Sequence, residues 1–249
     1  MKPEVRIFND LEGLSRAAAN LFIEQAEQSI SERNRFLVAL NGGSTPTRLF
    51  QLLATDEHEK ADWSKVHIFW GDERCVPPDD AGSSYGQARD TLLSHILIPD
   101  SNIHRIRGEL GPVEASKEYS LILREFSSPP FQYPRFDLVY LGMGEDGHTA
   151  SLFPGSSLDV AEPTMPVTAH YQDRPAHRVT LTPIVFNAAH MIVFMATGEK
   201  KAKPLAEVLS DTHTRNPAQY PAQRIDPKEG RLIWLVDEAA ASRLPNELR

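Results

Sequence analysis

The chain has 249 residues, 41% of them apolar, a formal charge of −8 and a single cysteine, Cys75. This length and apolar content suit one large α/β domain or two small ones with a sizeable core, and the acidic balance argues against nucleic acid or an anionic membrane as main partner, because either asks for a basic face. One cysteine excludes an intramolecular disulfide and points to a reducing cytoplasm; no apolar run approaches the roughly 20 residues of a membrane span, and Met1-Lys2-Pro3-Glu4-Val5-Arg6 lacks the apolar core of a signal peptide.

Leu11, Leu14, Ala18, Leu21, Phe22 and Ala26 recur at helical spacing behind the potential cap Asp10, which predicts an amphipathic surface helix. Phe36 to Leu40 reads as a short buried strand that runs into Asn41-Gly42-Gly43-Ser44-Thr45-Pro46 and then a helix from Thr47 to Ala54. Pro46 suits a first helical position. The amides before it, with the Ser44 and Thr45 hydroxyls, offer a phosphate cradle or simply a capped helix start, and the local sequence leaves both open. The G-x-x-x-x-G-K-[ST] spacing of a Walker loop is absent.

A second strand, Val66 to Trp70, ends in Gly71-Asp72-Glu73-Arg74-Cys75. Polar groups at the carboxyl end of a strand lie where open α/β sheets bind ligands. Arg74 can fork onto a phosphate, with Asp72 and Glu73 free to hold hydroxyls or Arg74; a solvated charge run is the plainer alternative. Cys75 reads as a buried small residue, because no histidine is evident beside it to make a nucleophile. Helices are expected over Ser84 to Ile96 and Val113 to Phe126, with Ile103 to Ile106 a short extended piece between them, and Ser127-Ser128-Pro129-Pro130 marks a loop.

The stretch Phe136-Asp137-Leu138-Val139-Tyr140-Leu141-Gly142-Met143-Gly144-Glu145-Asp146-Gly147-His148-Thr149-Ala150-Ser151-Leu152-Phe153-Pro154-Gly155 organises the rest. An apolar run too short for a helix stops at a glycine cluster followed at once by polar groups, so a buried strand delivers a site. The glycines permit positive φ and close approach to a ligand, and amides opening a short helical turn can receive an anion. Gly142, Gly144 and Gly147 also spell G-x-G-x-x-G, but dinucleotide binding wants a long helix and a second strand next. Pro154 and Gly155 cut any helix to about one turn, and Ser156 to Asp173 reads as loop and short strand.

Arg178 to Thr182 alternates like a strand, and Met191 to Ala196 is a buried one that stops at Thr197-Gly198-Glu199-Lys200-Lys201, where a helix opens through Leu209. A lysine in a first helical turn is electrostatically misplaced unless it serves an anion, because that end already carries positive partial charge. Leu232 to Val236 is a last buried strand, followed by Asp237 and an alanine-rich turn. Strands alternating with helices, apolar on both faces, imply an α/β fold: a doubly wound, mainly parallel sheet with helices on both faces. With no repeat, linker or low-complexity segment, one domain over residues 1–249 is expected.

Taken in order, Asn41 to Pro46, Gly71 to Arg74 with Val76-Pro77, Gly142 to Pro154, Arg178-Val179-Thr180 and Gly198-Glu199-Lys200-Lys201-Ala202 resemble the 6-phosphogluconolactonase family of the glucosamine-6-phosphate isomerase-like superfamily. The resemblance covers nearly the whole chain. It implies a Rossmann-like, sugar-phosphate isomerase type of sheet, and hydrolysis of 6-phospho-D-glucono-1,5-lactone in the oxidative pentose phosphate pathway. It implies no organic cofactor; no His-x-x-x-His or clustered cysteine ligands offer a metal site, and the expected partner is a small sugar-phosphate lactone, acted on by a monomer or small homo-oligomer. The family's Ser-Asn-Tyr is here Ser83-Ser84-Tyr85, which keeps a hydroxyl and loses an amide, and family spacing points to Lys201 rather than Lys200.

On this reading His148 is the general base, since an imidazole can take a proton near neutrality, with Asp146 beside it as orienter or hydroxyl contact. Phosphate binding falls to Arg74 and Lys201, aided by Gly42, Gly43, Ser44 and Thr45, with Arg178 a third cation and Asp72 in the substrate site. The rival is a glucosamine-6-phosphate deaminase or sugar-phosphate isomerase, for which Asp72 would move a carbon-bound proton. Those enzymes typically read Ala-Phe-Asn-Glu-Pro-Gly after the histidine turn, whereas Ala150-Ser151-Leu152-Phe153-Pro154-Gly155 lacks the glutamate. A serine hydrolase would want a G-x-S-x-G elbow that Ser44 lacks. A catalytically silent sugar-phosphate binder is the reading from another class.

Overall fold

The computed structural model describes residues 4–56, 60–127, 129–157, 159–171, 174–210 and 215–249. Met1, Lys2, Pro3 and Ser128 lie outside the described residues, as do Leu158, Gln172 and Asp173 of the expected loop and short strand. The elements run β1 (Glu4–Phe8), α1 (Leu11–Arg33), β2 (Phe36–Leu40), α2 (Ser44–Thr55), β3 (Val66–Trp70), β4 (Asp72–Arg74), α3 (Ser84–Thr91), β5 (Ile103–His104) and α4 (Pro112–Glu125). The second half adds β6 (Leu138–Gly142), β7 (Thr164–Thr168), β8 (His177–Leu181), α5 (Pro183–Phe186), β9 (Met191–Ala196), α6 (Ala202–Val208), β10 (Arg231–Asp237) and α7 (Glu238–Ala241).

The expected α/β architecture is present: a seven-stranded sheet in the order β1-β10-β9-β6-β2-β3-β5, parallel at every pairing, with helices on both sides. β2 and β9 are buried along their whole length, which is why they read as uninterrupted apolar runs. From the neighbouring pair β2 and β6 the chain winds outward in opposite directions, through β3 and β5 on one side and β9 and β10 on the other. That pair is the topological switch point, and a crevice opens beyond its carboxyl ends.

Three features depart from expectation. β1 is an additional edge strand. Asp72–Arg74, expected as part of a polar loop, is instead a strand in a second sheet, β4-β8-β7, antiparallel throughout. The helical turn expected after His148 does not form: Thr149 bridges Leu152 in a tight hairpin, and Ala150 adopts φ 48°, a left-handed conformation that costs a non-glycine residue roughly 1–2 kcal/mol.

Candidate active site

The crevice holds a cavity of about 400 Å³ lined by Gly42, Gly43, Ser44, Thr45, Asp72, Arg74, His148, Arg178 and Lys201. Nine of the ten candidate site residues therefore meet in one place, drawn from five separate stretches of chain. The tenth, Asp146, is not on the lining but stands behind His148. Its Oδ1 lies 2.6 Å from His148 Nδ1 and also accepts the His148 backbone N–H at 3.1 Å. A carboxylate so placed keeps the ring proton on Nδ1 and leaves Nε2 as the acceptor.

The ring is held on its other sides by Phe153, 4.5 Å between centroids, and by Tyr171, 4.7 Å and edge-on. The turn beneath it is tied by Gly144 N–H to His148 O at 2.8 Å and by Thr149 Oγ1 to Gly142 O at 2.8 Å. A Cβ on Gly144 would overlap both the His148 ring and the Asp146 carboxylate. Of the three glycines in the cluster only Gly147 takes positive φ, 80°, where it lies against Tyr220. Burial pushes the Asp146 carboxyl up, but hydrogen bonding and charge from His148 outweigh it and hold the group below the usual carboxylate range.

The cationic side of the cavity is built by sheet register. In the β4–β8 ladder Arg74 stands directly opposite Arg178 and Asp72 opposite Thr180. Like charges directly opposite on antiparallel strands repel. Arg74 donates from one terminal nitrogen to Gly82 O at 2.6 Å, and Arg178 Nε donates to Pro175 O at 3.1 Å, yet Arg74 Nε and one terminal nitrogen of Arg178 are buried without a protein partner. Burial lowers the Arg178 pKa, with the Arg74 charge acting in the same direction and Asp72 opposing it. Two adjacent guanidinium groups with spare donors suit a dianion such as phosphate.

Asp72 is buried and accepts a 2.6 Å hydrogen bond from Ser151 Oγ. Its neighbour Glu73 has a different task, accepting the Ser84 and Tyr85 amides at 2.7 Å and the Ser83 hydroxyl at 3.1 Å. Glu73 therefore anchors the start of α3 and is no substrate contact. At the β2 turn, Gly43 N–H is already taken by Gln87 Oε1 at 2.9 Å, while no side chain caps α2. The Gly43 amide is thereby withdrawn from the cradle, which leaves Gly42 and the Ser44–Thr45 end of the helix on the lining.

Lys200 is 82% exposed and lies 3.8 Å from Glu145. Lys201 is half-buried, and burial depresses its ammonium despite the opposing charges of Glu145 and Asp146; among the described residues it makes no ion pair. Both lysines line the cavity, Lys200 largely in solvent and Lys201 half-buried.

Asn41, Glu145, Tyr171, Arg174 and Thr197 also line the cavity, and sequence reasoning did not name them as site residues. Asn41 and Thr197 adjoin the glycine turns that signalled the site. Tyr171 and Arg174 sit in a loop without pattern, brought in only by the β7–β8 hairpin. Cys75 lies off the cavity, and burial, with Glu73 nearby, pushes its thiol up to about 11, which suits the inert reading. Among the described residues no group of three or more His, Cys, Asp or Glu side chains is arranged to hold a metal ion.

A family model described as glucosamine-6-phosphate isomerases/6-phosphogluconolactonase matches residues 9–234. The chain belongs to this family. It is 35% identical to the 6-phosphogluconolactonase of Nostoc sp., over 98% of this chain and 99% of that one. The 6-phosphogluconolactonase of Haemophilus influenzae is 39% identical over 83% of this chain and 87% of its own. Among solved structures, the 6-phosphogluconolactonase of Trypanosoma brucei superposes with a TM-score of 0.86 at 29% identity, covering 98% of this chain and 99% of that one.

Proposed function

We propose that the protein is a carboxylic ester hydrolase that converts 6-phospho-D-glucono-1,5-lactone to 6-phospho-D-gluconate, the 6-phosphogluconolactonase step of the pentose phosphate pathway. Nearly full-length relatives carrying that name support the activity. The observation that carries the mechanism is the His148–Asp146 pair on one side of a cavity whose other side presents Arg74 and Arg178 side by side.

In this mechanism His148 Nε2 takes a proton from water as the water oxygen attacks the lactone carbonyl carbon. The tetrahedral intermediate then collapses, the ring carbon–oxygen bond breaks, and the departing sugar oxygen receives the proton from His148. Asp146 holds the ring and favours its protonated form during the transfer. Arg74, Arg178, Lys201 and the Ser44–Thr45 turn grip the remote phosphate, so that binding energy away from the bond being broken is spent on orientation. Asp72, fixed by Ser151, supplies an acceptor for a sugar hydroxyl. No organic cofactor or metal enters these steps.

The chain is read as one domain over residues 1–249 acting in the cytoplasm on a small molecule, as a monomer or small homo-oligomer, with no nucleic-acid partner. Among the described residues no helix is long and apolar enough to cross a membrane. The test is the disappearance of freshly generated 6-phosphogluconolactone in chelator, with and without protein. Fast loss that His148→Ala abolishes is expected. No acceleration by folded wild-type protein would sink the assignment, and ammonia release from glucosamine 6-phosphate would then be assayed.

A further inference from the structure

A second cavity, of about 360 Å³, lies at the opposite end of the central sheet, around the amino ends of β2, β6 and β9. It falls in the size range of small-molecule sites, roughly 300–1,000 Å³. Arg33, Arg35 and Arg135 share its lining with Leu37, Pro130 and Phe131. The three guanidinium groups are unequally engaged. Arg33 is committed to the fold: it donates to the buried Asp137 at 2.9 Å and to Ser29 Oγ at 3.0 Å, and pairs with Glu32, while Asp137 also accepts Leu37 N–H at 2.7 Å.

Arg135 is aimed by its Nε, which donates to Ala188 O at 3.0 Å, and among the described residues its one ion pair is with Glu229, 3.3 Å away and 80% exposed. So exposed a pair is screened and readily exchanged for a better anion. Arg35 has no hydrogen bond or ion pair among the described residues. On a chain of net charge −8, this cavity gathers three guanidinium groups against the carboxylates Asp137 and Glu229, two of those guanidinium groups underused. Phe131 adds a flat apolar surface, held in place by stacking on Tyr133 with centroids 5.3 Å apart and planes 29° from parallel.

We propose that this cavity binds a phosphorylated compound with a flat aromatic portion, of about mononucleotide size, its phosphate between Arg35 and Arg135 and its ring on Phe131. Guanidinium forks match phosphate geometry, and a planar ring gains by stacking on an aromatic side chain. The site shares no residue with the catalytic cavity, so it does not depend on the catalytic reading.

The test is calorimetric titration of the full chain with adenosine 5′-monophosphate, with inorganic phosphate and adenosine as separate arms. Titrations run with and without saturating 6-phosphogluconate, because the catalytic cavity also accepts phosphate. We expect one adenosine 5′-monophosphate per chain whether or not 6-phosphogluconate is present. Its affinity should fall by about tenfold or more in Arg35→Ala and in Phe131→Leu and stay unchanged in Arg74→Ala. Both cavity variants should retain lactone hydrolysis, which shows that they fold. No saturable binding up to about 10 mM, binding indifferent to Arg35→Ala, or binding lost instead in Arg74→Ala would overturn the site. Inorganic phosphate binding as tightly as the nucleotide would overturn the aromatic part.

Discussion

Replacing Asp146 by alanine separates orientation of the base from contact with the substrate. The carboxylate makes one 2.6 Å charge-assisted hydrogen bond to the ring and a 3.1 Å bond to the His148 amide. A hydrogen bond to a charged group contributes about 1.5–3 kcal/mol. Because the Asp146 side chain is 33% exposed, solvent screening favours the lower half of that range. At about 1.4 kcal/mol per decade this predicts a fall in kcat of about 10- to 50-fold. KM for the phosphorylated lactone should change little, since Asp146 is off the cavity lining and the cations that hold phosphate are untouched. The assay is initial-rate hydrolysis of 6-phosphogluconolactone at several concentrations, beside Asp146→Asn, which keeps the shape but no longer enforces the tautomer. A KM raised about tenfold at unchanged kcat would refute the reasoning and make Asp146 a substrate contact.

Arg74→Ala should slow hydrolysis of the phosphorylated lactone by about 10- to 100-fold, the worth of a charge-assisted contact, and leave unphosphorylated gluconolactone nearly unaffected. Equal losses on both substrates would remove Arg74 from the phosphate role. A third prediction concerns acid stability. His104 lies against Phe69 and Phe126 and near His67, and burial, with the His67 charge adding to it, pushes its pKa down to about 4. The unfolded chain therefore binds the extra proton first, so stability falls as pH drops from about 6.5 toward 4. After discounting for partial exposure, this amounts to about 1–2 kcal/mol. Denaturant melts across that range should show the loss, and His104→Phe should flatten it; an unchanged slope would show that His104 does not carry it.

Much of the candidate site was legible because its pieces are local. A run such as Phe36–Leu40 or Met191–Ala196 is apolar at every position only if both faces of the strand are covered. The turn that follows must carry glycine and polar residues, since the chain there leaves the core. Strand, turn and helix are each decided within about ten residues, so the ends of β2, β3, β6 and β9 could be read as ligand-facing from composition alone. The same locality explains the errors at these turns. Nothing near His148 says that Thr149 will pair with Leu152 instead of starting a helix, and nothing near Gly43 reveals that Gln87 takes its amide.

The sequence by itself determined which side chains stand at the carboxyl ends of the strands and the doubly wound class that gathers them, because both follow from short-range apolar pattern and turn chemistry. Only the tertiary structure decided how they divide the work. Arg74 faces Arg178 across a ladder between segments more than a hundred residues apart, and a register of that kind depends on burying both strands at once. Glu73 anchors a helix while the adjacent Asp72 lines the cavity, because alternate residues of a strand point to opposite faces. Lys200 and Lys201 both line the cavity, the first largely in solvent and the second half-buried, since one step of the 3-10 turn Glu199–Lys201 rotates a side chain by about 120°, and what each then meets is set by elements distant in the chain.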